Sequence, residues 1–255
     1  MKALILAGGF GTRLSEETDI KPKPMIEVGG KPILWHIMKI YSYYGFSDFI
    51  LALGYKSEVI KNYFLNFSQI NSDFEVDLKT QQIKYLKNNK EKWTIKLVDT
   101  GLETQTGGRL KKISHLIKNE RFMLTYGDGL ADININKLLK FHKQHGKIGT
   151  ITTVHPNARF GELNLKGNIV TQFEEKPQTN QSWINGGFFI FEPEFLKLIK
   201  SSSTILEREP LEKLSKQKQL MAFKHKDFWQ CMDTKRDRDL LERLWNEKKT
   251  PWKCW

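Results

Sequence analysis

The chain opens Met-Lys, runs apolar from Ala3 to Ala7, and then places three glycines within four residues in Gly8-Gly9-Phe10-Gly11-Thr12-Arg13. An unbroken apolar run that stops at a glycine turn reads as a strand buried on both faces, so the rest of the chain must cover that strand with helices. Without Cβ atoms, the turn lets its backbone N–H groups approach phosphate oxygens closely. Leu6, Ala7, Gly8, Gly9, Phe10, Gly11, Thr12 and Arg13 form the first candidate site, with Arg13 supplying a permanent charge. In Lys21-Pro22-Lys23-Pro24-Met25 the prolines restrict the backbone on both sides of Lys23 and limit where its ammonium can swing. The glycines alone also suit an ordinary strand-to-helix turn. The spacing fits neither the dinucleotide pattern G-x-G-x-x-G nor a phosphate loop ending in Gly-Lys-Ser/Thr, which argues against a dehydrogenase or a P-loop ATPase.

With 255 residues, 39% of them hydrophobic, the chain is long enough for one α/β domain with elaborations, residues 1–145 forming a nucleotide-binding half and 146–255 the rest. No segment approaches the ~18 consecutive apolar residues that would span a bilayer, and the apolar start is too short for a signal peptide and lacks a cleavage pattern. Cys231 and Cys254 show no C-x-x-C spacing, which points to a reducing cytoplasm and to no zinc or redox role for them. The net charge of +12 is spread along the chain, as in Lys87-Asn88-Asn89-Lys90-Glu91-Lys92, and no helix carries a basic stripe interleaved with aromatics. A solvated surface is expected, with no nucleic-acid partner and no membrane.

Strand and helix patterns then alternate. Pro32 precedes a helical spacing of Ile33, Leu34, Ile37, Met38, Ile40 and Tyr41. Phe49–Leu53, Ile95–Val98 and Phe122–Tyr126 read as buried strands, and Gly107-Gly108 opens a helix. The expected fold is α/β: a Rossmann-like, mostly parallel or mixed sheet flanked by helices, with β-rich elaborations after residue 149 that carry a substrate pocket. Residues 66–93 are polar and rich in Lys and Asn, and read as an irregular or β-hairpin insertion. The two tryptophans of the Thr250–Trp255 tail should dock on the body or on a neighbouring subunit, since exposing them is costly.

Asp128, in Gly127-Asp128-Gly129, follows an apolar strand and sits where ligands collect in open α/β sheets. A hard carboxylate there suits Mg²⁺, which needs few protein ligands when substrate phosphates complete its shell. Asp233 is the best second carboxylate, although its place before a helix also suits an N-cap. In Glu174-Glu175-Lys176-Pro177, Glu175 can accept sugar hydroxyls and Lys176 can hold a phosphate, or the stretch is an exposed turn. Asn185-Gly186-Gly187 lies inside an apolar strand, where glycines imply either close approach by a ligand or a bulge. Thr104, Thr106, Gly108 and Arg109 offer hydroxyls, a small turn and a cation that either faces the pairing edge of a cytosine or faces solvent. His36, His115, His142 and His145 lack metal-like pairing and read as structural.

Together, Gly8-Gly9-x-Gly11-Thr12-Arg13-Leu14, Lys21-Pro22-Lys23-Pro24-Met25, Gly127-Asp128-Gly129 and Glu175-Lys176-Pro177 resemble the sugar-nucleotide pyrophosphorylases, in matching order over essentially the whole chain. Thr106-Gly107-Gly108-Arg109-Leu110, Ile184-Asn185-Gly186-Gly187-Phe188-Phe189 and Met232-Asp233-Thr234 are similar to the branch that uses CTP and glucose 1-phosphate. The resemblance implies a nucleotidyltransferase fold of the GT-A type and a Mg²⁺-dependent reaction of CTP with α-D-glucose 1-phosphate that yields CDP-glucose and pyrophosphate. It implies that the product feeds the dideoxysugars of bacterial surface polysaccharides, the O-antigen of lipopolysaccharide among them. It also implies that residues 6–13 and Lys23 hold the triphosphate, with Gly127 beside it, and that Arg13, Lys23 and Asp128 are catalytic. Thr104, Thr106, Gly108 and Arg109 are then expected near the cytosine, Asp128 and Asp233 on the metal, and Glu175, Lys176, Asn185 and Gly186 on the sugar phosphate. A homo-oligomer is implied too, a hexamer in this branch.

Overall fold

The computed structural model describes residues 1–11, 14, 18–86, 91–117, 119–156, 162–174 and 182–255, so Thr12, Arg13, Glu175 and Lys176 lie outside the described residues. Every residue of β1 (Ala3–Ala7) is buried. Alternation along the strand divides it between two cores: Ala3, Ile5 and Ala7 join one apolar cluster, Leu4 and Leu6 the other. The chain continues through the hairpin of β2 (Glu27–Val28) and β3 (Lys31–Pro32), the helix Ile33–Tyr43, β4 (Asp48–Leu53) and the helices Ser57–Leu65 and Phe67–Asn71. After β5 (Phe74–Asp77), β6 (Gln82–Tyr85) and β7 (Thr94–Asp99) come the helix Thr106–Ile113, β8 (Phe122–Tyr126), β9 (Gly129–Ala131) and the helix Ile135–His145. Next are β10 (Gly149–Val154), β11 (Glu162–Lys166), β12 (Ile169–Glu174), β13 (Ile184–Phe191) and the helix Glu209–Lys216. β14 (Leu220–Lys224), β15 (Trp229–Cys231) and the helix Lys235–Asn246 complete the order.

Seven strands form the main sheet in the order β14-β10-β13-β8-β1-β4-β7. All run parallel except β13, which is antiparallel to both of its neighbours. This is the mostly parallel, helix-flanked sheet expected, and residues after 146 supply three strands of the same sheet rather than a separate one. The chain leaves β1 toward β4 and β7 and returns on its other side as β8. That reversal opens a crevice beyond the carboxyl ends of β1 and β8, where Gly8 and Gly127 follow. Residues 74–85 form the expected hairpin, with Phe74, Val76, Ile83 and Tyr85 exposed on it. β9, β14 and β15 have no clear periodicity, being too short or too near an edge to carry one.

The terminal tryptophans dock on the chain's own body. Trp252 is fully buried, stacks on Phe228 at 5.5 Å, and donates from Nε1 to His36 Nδ1 at 3.4 Å. His36 Nε2 lies 2.8 Å from the Val28 carbonyl, so the ring accepts on one side and donates on the other, the pattern of a neutral imidazole. Burial holds its pKa down to about 4. Because the folded-state value is depressed, this contribution is intact above the unfolded-state pKa of ~6.5 and is lost as pH falls toward 4, about 2 kcal/mol by pH 5. Urea unfolding at pH 7 and pH 5 should show that loss, and His36→Phe should shrink the difference by about that amount, leaving the share of His142, whose pKa burial also holds down to about 4.

Candidate functional site

Lys23 sits on a single 3-10 turn in which Pro22 accepts from Met25 N at 2.8 Å, and Lys23, Pro24 and Met25 are all buried. Gly11, at φ +68°, makes room for the lysine stem: a Cβ there would lie 3.0 Å from that of Lys23. Gly127 does the same for the adjoining backbone, since its missing Cβ would stand 3.0 Å from both the Leu6 carbonyl oxygen and Pro24 Cγ. The turn therefore locks β1 and the proline pair against the end of β8.

The Lys23 ammonium lies 2.6 Å from Asp128 Oδ2 and 2.6 Å from Asp233 Oδ1. Burial opposes its charge, but the Asp128 carboxylate and the hydrogen bonds to both acids outweigh burial and raise its pKa, so it stays protonated. Asp233 reaches this position because β15 pairs with β9 and Met232 N donates to the Asp128 carbonyl at 2.9 Å. The N-cap alternative for Asp233 is corrected. Thr234 caps the helix Lys235–Asn246 and closes a capping box with Asp237, which leaves the Asp233 carboxylate aimed at Lys23.

Cys231 stands two residues before Asp233 on the same face of the extended chain, and ligand atoms of Asp128, Cys231 and Asp233 all lie within 4.8 Å of one another. Cys231 therefore lies beside the two acids, at i, i+2 spacing to Asp233. Burial and then Asp128 push the thiol pKa up, so it is not a thiolate. Two carboxylate oxygens already converging on one cation have the chemistry to hold a hard divalent ion.

Two cavities meet here. One, of ≈ 340 Å³, is lined by residues 6–11, 23–24, 102–106, 109 and 126–128. The other, of ≈ 280 Å³, is lined by Asn185, Gly186, Gly187, Trp229, Cys231 and Asp233 among others. Tyr126 and Asp128 line both. Asn185 Oδ1 accepts from Gly187 N at 2.8 Å, and Trp229 Nε1 donates to the Gly186 carbonyl at 2.8 Å. The pairing of β13 with β10 shifts register here and Gly187 has φ +81°, so the glycines form a bulge that also borders a cavity.

Arg109 is buried and does not face solvent. Nη1 donates to the Leu53 and Gly101 carbonyls and to Thr100 Oγ1, and Nη2 to the carbonyls of Gly8 at 2.8 Å and Leu102 at 3.1 Å. The guanidinium clamps the glycine turn to the 100–102 segment rather than standing free to be aimed at a base edge. Gly8 is required by that clamp, because a Cβ would lie 2.2 Å from Nη1. Thr104 donates to the Thr100 carbonyl and Thr106 to Glu207 Oε2 at 2.7 Å. Gly108 is corrected as a ligand residue. It is not among the cavity lining, and a Cβ there would lie 2.0 Å from the Ser202 carbonyl oxygen, so it is a packing glycine. Sequence reasoning missed Tyr126, Leu102, Glu103 and Gln105, which only the tertiary arrangement brings to the cavities.

Residues 2–245 match the nucleotidyl transferase family. The chain is 51% identical over 256 residues to the glucose-1-phosphate cytidylyltransferase of Salmonella typhimurium and 43% identical to the probable glucose-1-phosphate cytidylyltransferase of Bacillus subtilis, covering 100% of both chains in each case. It is 31% identical to the mannose-1-phosphate guanyltransferase of Saccharomyces cerevisiae, over 94% of this chain and 63% of that one. Among solved structures, HddC from Yersinia pseudotuberculosis superposes with a TM-score of 0.70 at 22% identity, over 96% of this chain and 99% of that one. A UDP-glucose pyrophosphorylase bound to UDP-glucose gives 0.70 at 16% identity, over 97% and 98%.

Proposed function

Because the chain belongs to the nucleotidyl transferase family, we propose that it joins CTP and α-D-glucose 1-phosphate into CDP-glucose with release of pyrophosphate. The 51% identity across the full length of both chains supports the substrate pair. The observation that carries the chemistry is the junction of two cavities at Asp128, with Lys23 held between two carboxylates.

The nucleotide occupies the cavity built on the glycine turn, and the sugar phosphate the cavity built on Asn185 and Gly186. A sugar-phosphate oxygen then attacks the α-phosphorus in line, the bond to pyrophosphate breaks, and no covalent enzyme intermediate is needed. Backbone N–H groups of residues 8–11 hold the leaving phosphates. Lys23, kept charged and buried at the junction, stabilises the negative charge that develops on the phosphoryl oxygens. Mg²⁺, when bound by Asp128 and Asp233, supplies further neutralisation of that charge. Arg109 and Thr104 act on the base through the 100–102 segment they both hold, while Arg13, Thr12, Glu175 and Lys176 keep the phosphate and sugar roles the resemblance implies.

The same reading makes the protein a cytoplasmic homo-oligomer, a hexamer, whose product supplies dideoxysugars of bacterial surface polysaccharide. No helix among the described residues is long and apolar enough to cross a membrane.

Pyrophosphate release measured over four nucleoside triphosphates and several sugar 1-phosphates should favour CTP with glucose 1-phosphate by at least about tenfold, the order of one lost polar contact. EDTA should stop the reaction and excess Mg²⁺ restore it. Preference for GTP with mannose 1-phosphate would replace the substrate assignment, and turnover in EDTA would remove the metal role.

A further inference from the structure

Glu207 belongs to no motif in the chain, yet it connects the two cavities. Its Oε1 accepts from the Tyr126 hydroxyl at 2.6 Å and its Oε2 from Thr106 Oγ1 at 2.7 Å. The Tyr126 oxygen also accepts from Asn185 Nδ2 at 3.2 Å, and Asn185 Oδ1 accepts from Gly187 N. One hydrogen-bonded chain therefore runs from β13, in the second cavity, through the phenol lining both cavities, to the start of the helix bordering the first.

The phenol has little freedom. Its ring packs edge-on against Phe189 at 5.7 Å and 87°, and a Cβ on Gly187 would stand 2.8 Å from its Cδ2. The segment that carries Glu207 is itself docked: Gln105 N donates to the Ser202 carbonyl at 3.0 Å, Gly108 N to that of Thr204 at 3.1 Å, and Leu206 N to Thr106 Oγ1 at 2.9 Å. Gly107 and Gly108 permit this docking, as side chains there would strike the backbone of Thr204 and Ser202.

We propose that Glu207 is a positioning residue that couples the two substrate cavities, by fixing the Tyr126 wall shared between them to the Thr106 edge of the nucleotide cavity. The proposal rests on the assignment above of nucleotide to one cavity and sugar phosphate to the other. A substrate contact at the Tyr126 hydroxyl or at Thr106 strengthens the Glu207 bridge that both share, and the carboxylate passes that gain to the other wall. Glu207 is exposed, so its removal leaves the fold intact.

The test is initial-rate kinetics with CTP and glucose 1-phosphate both varied, on wild type, Glu207→Ala, Glu207→Gln, Tyr126→Phe and the Glu207→Ala/Tyr126→Phe double variant, with thermal unfolding in parallel. In Glu207→Ala the KM for both substrates should rise about fivefold to tenfold, as for one or two lost hydrogen bonds, while kcat and the melting temperature change little. The factor by which one substrate tightens the other should fall to one. Glu207→Gln, which keeps one of the two acceptors, should recover part of the loss, and the double variant should be no worse than Tyr126→Phe alone. Unchanged KM values, a rise confined to CTP, or additive effects in the double variant would overturn the coupling. A wild-type enzyme that makes no CDP-glucose would overturn the substrate assignment and the proposal with it, whereas an active wild type with unaffected variants overturns the proposal alone.

Discussion

Lys23→Ala should lower turnover by about 10²-fold or more at saturating substrates, the scale set by removing one preorganised donor from a developing negative charge. The expectation follows from how the side chain is held. Its backbone lies in a proline-flanked turn, its stem against Gly11, and its ammonium 2.6 Å from each of two acids. The same variant leaves Asp128 and Asp233 facing each other without a cation. In metal-free buffer their repulsion is uncompensated, so the variant should also be less stable than wild type. Two measurements check this: kcat with both substrates saturating, and urea unfolding in EDTA. A variant with kcat within about threefold of wild type would remove Lys23 from transition-state stabilisation, since that is well under one donor's worth.

Arg109→Met should cost about 3 kcal/mol of stability, measured by urea unfolding, and should weaken the preference for CTP over UTP. The loss can be placed residue by residue. The Leu53 and Gly8 carbonyls keep backbone donors, Thr100 N and Tyr55 N, so they are not orphaned. The carbonyls of Gly101 and Leu102 lose the guanidinium, as does the Thr100 hydroxyl, and methionine cannot replace a planar fork of donors. Gly8 loses the group its bare Cα accommodates, so the glycine turn is freed exactly where the phosphates are expected to bind. A stability change under about 1 kcal/mol would mean that water satisfies these carbonyls and that the clamp is dispensable. An unchanged ratio of CTP to UTP use would separate Arg109 from base choice.

The elements that the sequence made legible share one property: their signal is local. β8 has the bounds its apolar run predicts, because a strand buried on both faces leaves no alternation to blur the ends. Asp128 and Asp233 were found because each follows a strand and precedes a turn or a helix. Tyr126, Glu207 and Cys231 were not, since their roles depend on partners distant in the chain. Arg109 was only partly legible. Its motif offered either a ligand contact or a solvent-facing side chain; burial excludes the second, and the guanidinium lines the cavity while also bracing backbone carbonyls, a role no spacing rule anticipates. Gly108 went the same way, its neighbour Ser202 lying far along the chain.

The order of strands in the main sheet carries a consequence for how the molecule assembles. Ala3 in β1, beside the central strand β8, pairs with Met123 on one side and Phe49 on the other, and β13 must arrive later to cover β8. Long loops must close before these pairings return any free energy, so refolding should be slow beside that of a helical protein of similar size. Until β8 docks, β1 presents an apolar edge with unpaired N–H and C=O groups, a template on which a second unfinished chain can pair. Recovery from denaturant should therefore fall as protein concentration rises, with the losses taken during the interval before the centre of the sheet closes.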